Sequence, residues 1–280
     1  MTSVLRYAAF ASTPEGGNPA GIVLDASALD DAEMQKIAAD VGYAETAFLV
    51  DPAIAGDAGH PRVRYFSPVK EIPFCGHATV ATAVVLASRD GVGTVVFETP
   101  VGPISIATTK VGDEIVAAFT SVEPKLGGLS GDVLQTLLGL LGVTRDDLDP
   151  NFPPQLSYAG NWHPVLVFAD RAVFDGFTFD PAAMRALMDA EGWTGTVITM
   201  YSIAPDEFEA RNLFPVGTMN EDPATGSGAA SVGGYLRALG IAPDRLVIHQ
   251  GAHVGRPSLL TVDVPPTGGI IVSGTAVEIL

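Results

Sequence analysis

The sequence contains the same helical stretch twice, and this internal repeat constrains the fold more than any other feature. Residues 74–91 read FCGHATVATAVVLASRDG, and residues 220–240 read NEDPATGSGAASVGGYLRALG. In both stretches a turn leads into a glycine and a run of small apolar residues with almost no polar face, which predicts a buried helix. Aligning the two stretches pairs Cys75 with Thr225, Gly76 with Gly226 and His77 with Ser227.

Other blocks repeat in the same order along the chain. Residues 64–68 (RYFSP) resemble residues 211–215 (RNLFP), and residues 17–24 (GNPAGIVL) resemble residues 160–167 (GNWHPVLV). One similar alanine-rich helix could arise by chance, whereas several blocks in one order indicate a duplicated domain. The sequence therefore predicts two related domains.

We expect an α+β fold in which each domain is a curled, mostly antiparallel sheet or barrel around its central apolar helix. Short apolar stretches separated by glycine and proline predict many strands in each half, and one buried helix per half gives those strands a core. The last strand is expected to return to the first domain. The predicted N-terminal domain comprises residues 1–122 with residues 267–280, and the predicted C-terminal domain comprises residues 123–266.

Composition and charge narrow the classes of function. The net charge is −17 over 280 residues and the sequence pI is about 4.4, so the phosphate backbone of a nucleic acid would be repelled. The N-terminus lacks the basic and apolar regions of a secretory signal, and no apolar run is long enough to cross a bilayer. We expect a cytoplasmic protein with no nucleic-acid or membrane partner.

Cysteine and histidine usage does not predict a metal site. The single cysteine excludes an internal disulfide and a thiolate cluster. Among the histidines, His249 and His253 could share a face only on a helix, which the glycines at positions 251 and 255 disfavour. We therefore expect no bound metal.

The starts of the two repeated helices are candidate binding sites for an anion. Glycines and a hydroxyl at a helix start leave backbone N–H groups unpaired, which suits a carboxylate or a phosphate. The alternative is an ordinary core helix capped by its serine. The candidate substrate-binding residues are Asn18, Gly76, Gly226, Ser227 and Gly228.

Four motifs resemble those of the PhzF-like phenazine-biosynthesis isomerases. They are GNPAGIVLD at 17–25, YAETAFLV at 43–50, PFCGHATVATA at 73–83 and NEDPATGSGAA at 220–230. That family shares the diaminopimelate epimerase fold, so the resemblance implies two pseudo-symmetric domains with an active site in the cleft between them. It also implies a homodimer, and isomerisation of trans-2,3-dihydro-3-hydroxyanthranilate or another acid without a metal or organic cofactor.

By the same resemblance, the catalytic residues are Glu45, His77 and Asp222. Glu45 begins an otherwise apolar strand, and its counterpart near Thr194 and Gly195 has no carboxylate. A carboxyl group that is partly desolvated in a cleft has a raised pKa, which suits both donating and accepting a proton near neutral pH. The alternative for Glu45 is a solvated acid at a strand end.

His77 and Asp222 also have structural alternatives. The helix dipole disfavours a charged His77, so we expect either a neutral hydrogen-bonding group or a helix cap. Asp222 falls opposite Ile72 of the first half, and it could equally be an acid stabilised at a helix start. The resemblance implies that Ser227 helps to hold a substrate oxygen.

Cys75 is expected to pack and not to react. The epimerase relatives use two cysteines on opposite sides of one carbon, but the second position here is Thr225, so two-thiol chemistry is excluded. A Cys75–His77 nucleophilic pair lacks an evident Asp or Asn to orient it. A lone cysteine in such a segment is more often a small buried apolar residue.

The sequence is interpreted as a cofactor-independent isomerase with Glu45 as the general acid–base. Its substrate is expected to be a small carboxylate-bearing molecule, such as a cyclohexadiene or amino-acid carboxylate. Two alternatives stay open. One is an epimerase or racemase that uses Glu45 or Asp222 with Cys75, and the other is a non-catalytic protein that binds a metabolite in the same cleft.

Overall fold

The computed structural model describes residues 2–51, 60–217 and 219–280. The chain divides into two compact units, Met1–Thr120 with Ser273–Leu280 and Ser121–Val272. From the sequence alone, the two divisions were expected after residues 122 and 266. Each unit has an apolar cluster of its own, one around Phe48 and one around Phe168.

The described residues form many short strands, with helices between some of them. The strands are β1 (Leu5–Ala9), β2 (Asn18–Val23), β3 (Glu45–Asp51), β4 (Arg62–Phe66), β5 (Glu71–Ile72), β6 (Thr94–Thr99), β7 (Gly102–Val111), β8 (Glu114–Thr120), β9 (Lys125–Gly127), β10 (Gln155–Tyr158), β11 (Trp162–Phe168), β12 (Val197–Ala204), β13 (Glu207–Val216), β14 (Met219–Asp222), β15 (Arg245–Gln250), β16 (Ser258–Asp263) and β17 (Ile271–Glu278). The α-helices are α1 (Asp31–Val41), α2 (Gly76–Asp90), α3 (Gly131–Leu141), α4 (Arg171–Gly176), α5 (Pro181–Ala190) and α6 (Gly226–Ala238). Single-turn 3₁₀ helices lie at Arg145–Asp147 and Ala252–Val254.

The first unit is a closed barrel of eight strands. The antiparallel pairs β1–β2, β3–β4, β6–β7 and β7–β8 are joined through the parallel pairs β2–β3 and β4–β6. Strand β17 pairs with both β1 and β8 and closes the ring. The last strand of the chain therefore completes the first unit.

Helix α2 fills this barrel. Every residue from His77 to Ala87 is buried, and the helix packs against β1, β2, β3, β7 and β8. Its small and β-branched side chains let strands approach from all sides. The buried hydroxyls of Thr79 and Thr82 donate to carbonyl oxygens one turn earlier, so these polar groups have partners inside the barrel. The predicted central helix of the first unit is confirmed.

The second unit repeats the strand pairings of the first. Pairs β10–β11, β12–β13 and β15–β16 are antiparallel, and β11–β12 and β13–β15 are parallel. The corresponding pairs of the first unit have the same directions: β1–β2, β3–β4 and β6–β7 are antiparallel, and β2–β3 and β4–β6 are parallel. The short strand β14 pairs with β13 as β5 pairs with β4. The internal repeat therefore extends to the hydrogen-bonded ladders.

Helix α6 is the central helix of the second unit. It is buried from Gly228 to Leu236 and packs against β9, β10, β11 and β16. Glycine is needed for this close approach, because a Cβ at Gly233 would lie 2.9 Å from Ile270 and 3.0 Å from Val262. Each unit thus has the predicted α+β design of a curled sheet around one apolar helix.

Two further helices of the second unit lie outside the repeated motifs. Helix α3 begins at Gly131 because Ser130 is its N-cap and accepts a hydrogen bond from the Val133 N–H. The short helix α4 is absent from the sequence prediction, since six residues carry too little periodicity to indicate it. Among the described residues, no helix is both long enough and apolar enough to span a membrane.

Candidate active site

The first unit brings Glu45, Cys75 and His77 together at one end of its central helix. Glu45 is the first residue of β3 and lies beside Ala20 of β2. Cys75 is the N-cap of α2, and His77 is the second residue of that helix. Glu45 Oε2 lies 3.4 Å from His77 Nε2 and 3.6 Å from Cys75 Sγ. Two of the three residues predicted to be catalytic are therefore in contact.

His77 is a neutral, buried ring in this cluster. Its side chain is 9% exposed, against 19% for Glu45. Burial lowers the pKa of His77 to about 4, and a hydrogen bond to the backbone of Pro19 opposes the shift without reversing it. The ring is uncharged near neutral pH, as expected, and burial is the main cause of its lowered pKa. The helix-cap alternative is wrong, because Cys75 occupies the N-cap position.

The surroundings of Cys75 are more polar than the sequence predicts. Its sulfur lies 3.4 Å from His77 Nδ1 and 3.7 Å from His77 Nε2, and the thiol donates to Glu45. Cys75 is buried, as expected, but its thiol also has polar neighbours that the sequence does not indicate. From the sequence, no Asp or Asn was evident to orient His77, and the side chain that contacts its ring is that of a glutamate, Glu45. Cys75 is part of the immediate environment of the Glu45 carboxylate.

These three side chains supply atoms that metal ions bind, all within 4.8 Å of one another. The Cys75 sulfur is almost equally far from both nitrogens of His77. It therefore lies beside the ring and not on the lone-pair axis of either nitrogen. A metal held by both groups would first require rotation of the imidazole.

A second group of potential metal ligands lies in the second unit, and an arginine pairs with it. Its members are Asp175, Glu209 and His253. Arg171 lies 2.7 Å from Asp175 and 2.8 Å from Glu209. Because both carboxylates are paired with a guanidinium, the geometry favours an ion-pair network over a metal site.

Asn18 and Gly76 lie next to the cluster of the first unit. Asn18 begins β2, is 1% exposed, and directly precedes Pro19, whose backbone hydrogen-bonds His77. Gly76 is the first residue of α2, and a Cβ there would come no closer than 3.9 Å to the Phe74 ring. Packing therefore does not require a glycine at position 76, and there is room beside the helix start.

In the second unit, a chain of hydrogen bonds holds the side chain of Asp222. The Gln250 amide nitrogen donates to the Asp222 carbonyl oxygen at 2.6 Å and to Thr225 Oγ1 at 3.1 Å. The Gln250 amide oxygen accepts from the Thr225 N–H at 3.2 Å. The Thr225 hydroxyl donates its own proton to Asp222 Oδ2, 2.5 Å away. This chain fixes the direction of the Asp222 carboxylate beside the start of α6.

Ser227 is the second residue of α6 and contacts a buried histidine. Its Oγ lies 3.2 Å from His163 Nε2. On the other side of the ring, His163 Nδ1 lies 3.0 Å from both the backbone N and the carbonyl O of Thr196. The serine-cap alternative is wrong, because Thr225 is the N-cap of α6 and makes no side-chain cap hydrogen bond. The Ser227 hydroxyl is tied instead to the neighbouring strand β11.

The two glycines predicted to bind substrate at this helix start are both buried. Gly226 is the first residue of α6. A Cβ at Gly228 would lie 2.8 Å from Asn212 Nδ2 and 3.2 Å from Thr225. Packing within the second unit is therefore sufficient to explain a glycine at position 228.

A buried ion pair supports the strand that ends in Asp222. Arg211 Nη2 lies 2.6 Å from Glu221 Oε1, and Arg211 Nε lies 3.2 Å from Glu221 Oε2. Arg211 Nη1 donates to the backbone carbonyl oxygens of Phe174 and Phe177. Because both charges are buried and fully engaged, this pair fixes β14 against β13 next to Asp222.

Strand registers refine which residues correspond in the two units. Glu45 lies beside Ala20 in the parallel pair β2–β3. Extending the register of the parallel pair β11–β12 places Thr196 beside His163, and the two are in contact. The counterpart of Glu45 is therefore Thr196, one residue beyond the predicted Gly195. This position also lacks a carboxylate, so the asymmetry between the two units remains.

Sequence reasoning missed His163 and Gln250. His163 lies in the repeated block at 160–167, where the other copy has Ala20, and a histidine in place of an alanine within an apolar strand was the available signal. Gln250 ends β15, and its partners Thr225 and Asp222 are 25 and 28 residues away along the chain. No motif connects these segments, so nothing in the sequence indicates that contact.

Comparison with known proteins identifies the family. The sequence model of the phenazine biosynthesis-like proteins, PhzC-PhzF, matches residues 7–280. The uncharacterized isomerase YddE of Escherichia coli (strain K12) is 31% identical over 286 aligned positions, which cover 98% of this chain and 95% of that protein. The trans-2,3-dihydro-3-hydroxyanthranilate isomerase of Pseudomonas chlororaphis is 31% identical over 255 positions, covering 90% of this chain and 86% of that enzyme.

A solved structure agrees with this assignment. The phenazine biosynthesis protein of the PhzF family from Bacillus anthracis matches with a TM-score of 0.84 at 26% identity, covering 99% of this chain and 96% of that one. Family and fold are therefore consistent along nearly the whole chain. The chain belongs to the PhzC-PhzF family of phenazine biosynthesis-like proteins, and it is an isomerase with the α+β fold of that family.

Proposed function

We propose that this isomerase moves a proton between two carbons of a small carboxylate-bearing substrate without a cofactor, and that Glu45 carries the proton. The observation that carries the proposal is the position of the Glu45 carboxylate. It is the most exposed member of its cluster, and its Oε2 atom lies 3.4 Å from His77 and 3.6 Å from Cys75. A substrate can reach this acid, while its neighbours hold it in place.

The reaction needs one group that removes a proton at one carbon and returns it at another. The ionised Glu45 carboxylate takes a proton from the first carbon, and the electron pair of the broken C–H bond shifts along the conjugated system of the substrate. The Glu45 carboxylic acid then gives the proton to the second carbon. No atom is gained or lost, so the product is an isomer. His77 has a pKa of about 4 and acts as a neutral hydrogen-bonding group.

We infer that the substrate carries a carboxylate because the start of helix α2 is suited to bind an anion. The first N–H groups of α2 have no partner within the helix, and the space beside Gly76 is open. Such a helix start favours an anion through both its donors and its dipole. The Pseudomonas chlororaphis relative is named for an anthranilate-type acid, which supports this class of substrate.

The same contacts weigh against an epimerase that uses Glu45 with Cys75. Two groups that act on one carbon from opposite faces each lie about 3–3.5 Å from it, so they are about 6–7 Å apart. The Cys75 sulfur is 3.6 Å from the Glu45 carboxylate, which leaves no room for a carbon between them. Deuterium exchange, described below, distinguishes the proposed isomerase from an epimerase that uses Cys75 with Asp222.

Glu45→Gln tests the assignment of the proton carrier. The change keeps the shape of the side chain and removes its titratable proton, so kcat should fall by about two to four orders of magnitude while ligand binding is nearly unchanged. The first substrate to assay is trans-2,3-dihydro-3-hydroxyanthranilate, followed by cyclohexadiene and amino-acid carboxylates selected by thermal shift. In D2O the isomerised product should carry deuterium at the newly formed C–H bond to the extent that the proton on Glu45 exchanges with solvent before it is returned.

The matched control is Glu114→Gln, because Glu114 is an exposed glutamate that also begins a strand of the first unit. It should leave kcat unchanged. Turnover by Glu45→Gln within tenfold of the parent would remove Glu45 from this role and make Asp222 the first candidate. Deuterium exchange at a single stereocentre with no shift of unsaturation would instead support the epimerase that uses Asp222.

A further inference from the structure

His163 is a buried polar side chain whose surroundings are built to hold it. It is the second residue of β11, its side chain is completely buried, and the strand residues that follow it are apolar. A Cβ at Gly195 would lie 2.5 Å from Cε1 and 2.7 Å from both nitrogens of its ring. A side chain at position 195 and the imidazole could not occupy this space together. The glycine is therefore required by the histidine.

The hydrogen-bond partners of His163 favour one position for the ring proton. Nδ1 lies 3.0 Å from the Thr196 backbone N, 3.0 Å from the Thr196 carbonyl O and 3.1 Å from Thr196 Oγ1. The N–H can only donate, whereas a carbonyl oxygen tolerates a missing donor more readily. We therefore assign Nδ1 as the acceptor for the Thr196 N–H, with the Thr196 hydroxyl as a second available donor to it, and place the ring proton on Nε2. A buried, unpaired N–H would be the cost of the other tautomer.

This tautomer determines the direction of the bond to Ser227. Nε2–H donates to Ser227 Oγ, 3.2 Å away, so the serine oxygen is engaged as an acceptor and its own proton points elsewhere. Ser227 is only half-buried, so a ligand can receive that proton. Burial lowers the pKa of His163 to about 4, and the Thr196 backbone contact opposes the shift only in part, so the arrangement persists at neutral pH.

We propose that His163 is a positioning residue that fixes the Ser227 hydroxyl as a hydrogen-bond donor to an anionic oxygen of the substrate. This inference rests on the proposed function, in which the substrate is a carboxylate held near a helix start. It adds a contact at the start of α6, from Ser227 to an anionic oxygen, and the polarity of that contact. The group bound at Ser227 is an acceptor, such as a carboxylate or an enolate oxygen, and an ammonium or other donor-only group is excluded.

Two substitutions at position 163 separate positioning from packing. In His163→Gln, the side-chain amide reaches the level of Nε2 and can still donate to Ser227. In His163→Asn, the shorter amide can replace Nδ1 as the acceptor of the Thr196 N–H but cannot reach Ser227. We expect His163→Asn to raise KM about tenfold or more, the loss expected for a hydrogen bond to a charged group, with kcat changed less than about threefold. His163→Gln should restore KM to within about threefold of the parent.

A double-mutant cycle tests whether the effect passes through Ser227. Ser227→Ala should raise KM at least as much as His163→Asn, and the double variant should be no worse than Ser227→Ala alone. Binding of anthranilate, measured by calorimetry, gives a readout that does not depend on turnover. Losses that add in the double variant would overturn the positioning role, because His163 would then act by another route.

Direct observation of the tautomer makes the proposal independent of how the variants fold. Long-range ¹H–¹⁵N correlation spectra of the parent protein should show a neutral His163 ring protonated at Nε2. A ring protonated at Nδ1 would reverse the bond, make Ser227 the donor to His163, and overturn the proposal. If Ser227→Ala turns over and binds like the parent while Nε2–H is observed, the proposed carboxylate contact at Ser227 has failed and the tautomer assignment stands.

Discussion

At the scale of single residues, burial divides chemical roles among groups that could all exchange protons. Glu45, His77 and Cys75 are in mutual contact, yet only the carboxylate keeps appreciable exposure. The buried imidazole stays neutral because burial disfavours its charged form. The thiol donates to the carboxylate, so its contribution is a hydrogen bond to Glu45. The proton-carrying role is thus left to the group that a substrate can reach.

Cys75→Ala should therefore have a modest effect. The change removes one hydrogen-bond donor to Glu45, and a loss of about twofold to tenfold in kcat/KM corresponds to the usual net contribution of such a bond. Cys75→Ser, which keeps a donor of similar size, should lose less. Steady-state rates of the two variants, measured beside thermal unfolding to verify folding, check the prediction. A loss of three or more orders of magnitude in a folded Cys75→Ala protein would show that the thiol itself takes part in the chemistry.

The side chains of the candidate site were predictable to different degrees. Glu45, His77, Asp222 and Ser227 lie in contiguous motifs, so sequence was sufficient to select them. Their partners were harder to find, because a contact such as Ser227 with His163 joins positions 64 residues apart. Whether a buried histidine bonds a serine or merely packs depends on side-chain geometry, which periodicity and composition do not contain.

At the scale of elements, glycines in the first turns of the two central helices have different surroundings. At the start of α2, a Cβ on Gly76 would come no closer than 3.9 Å to another side chain. In the first turn of α6, a Cβ on Gly228 would lie 2.8 Å from Asn212 Nδ2. Two glycines of matching motifs are therefore present for different reasons. One leaves space beside a helix start, and the other allows close packing.

Gly76→Ala and Gly228→Ala should consequently separate binding from stability. Gly76→Ala should change the free energy of unfolding by less than about 1 kcal/mol, but its methyl group should raise KM for a carboxylate substrate about tenfold or more if the anion lies there. Gly228→Ala should destabilise the protein by about 1–3 kcal/mol through overpacking. Unfolding curves and steady-state kinetics on both variants make the comparison. An unchanged KM in Gly76→Ala would move the proposed carboxylate site away from α2.

Strand registers show where prediction of elements succeeds and where it stops. Asp222 pairs with Asn212 as Ile72 pairs with Tyr65, which agrees with the predicted alignment of Asp222 opposite Ile72. The predicted counterpart of Glu45 was displaced by one residue, because connections between the repeated blocks differ in length. Helices with strong apolar patterns were predictable, whereas register depends on turns and bulges whose geometry is set by the folded sheet.

At the scale of the whole molecule, the chain uses one design twice and changes the chemistry at matching positions. The strand pairings of the two units correspond, yet Glu45 corresponds to Thr196, His77 to Ser227 and Cys75 to Thr225. In each unit the second residue of the central helix contacts a side chain on a neighbouring strand. The first unit joins a histidine to an acid, and the second joins a serine to a histidine. The two units thus share one scaffold, but the polar side chains at matching positions differ.

Both of these histidines make the stability of the whole molecule sensitive to acid. Burial lowers the pKa of His77 and of His163 to about 4, below the usual value of 6.5. As the pH falls below 6.5, the unfolded chain therefore binds protons that the folded protein does not, and stability declines until about pH 4. Linkage gives a loss of about 3 kcal/mol for each histidine across this range. Urea unfolding at several pH values between 7 and 5 measures the slope, and separate transitions of the two units would each show the contribution of one histidine.

His163→Gln isolates this effect from the titration of surface acids. With a net charge of −17, the folded protein also gains from protonation of its carboxylates as the pH falls, and that gain opposes the loss from the histidines. The informative quantity is therefore the difference in slope between the parent and His163→Gln, which should lose about half of the histidine-dependent decline because one of the two buried rings is gone. Equal slopes for the parent and His163→Gln would mean that His163 takes up its proton in the folded state as readily as in the unfolded chain, which is incompatible with a neutral ring held between Thr196 and Ser227.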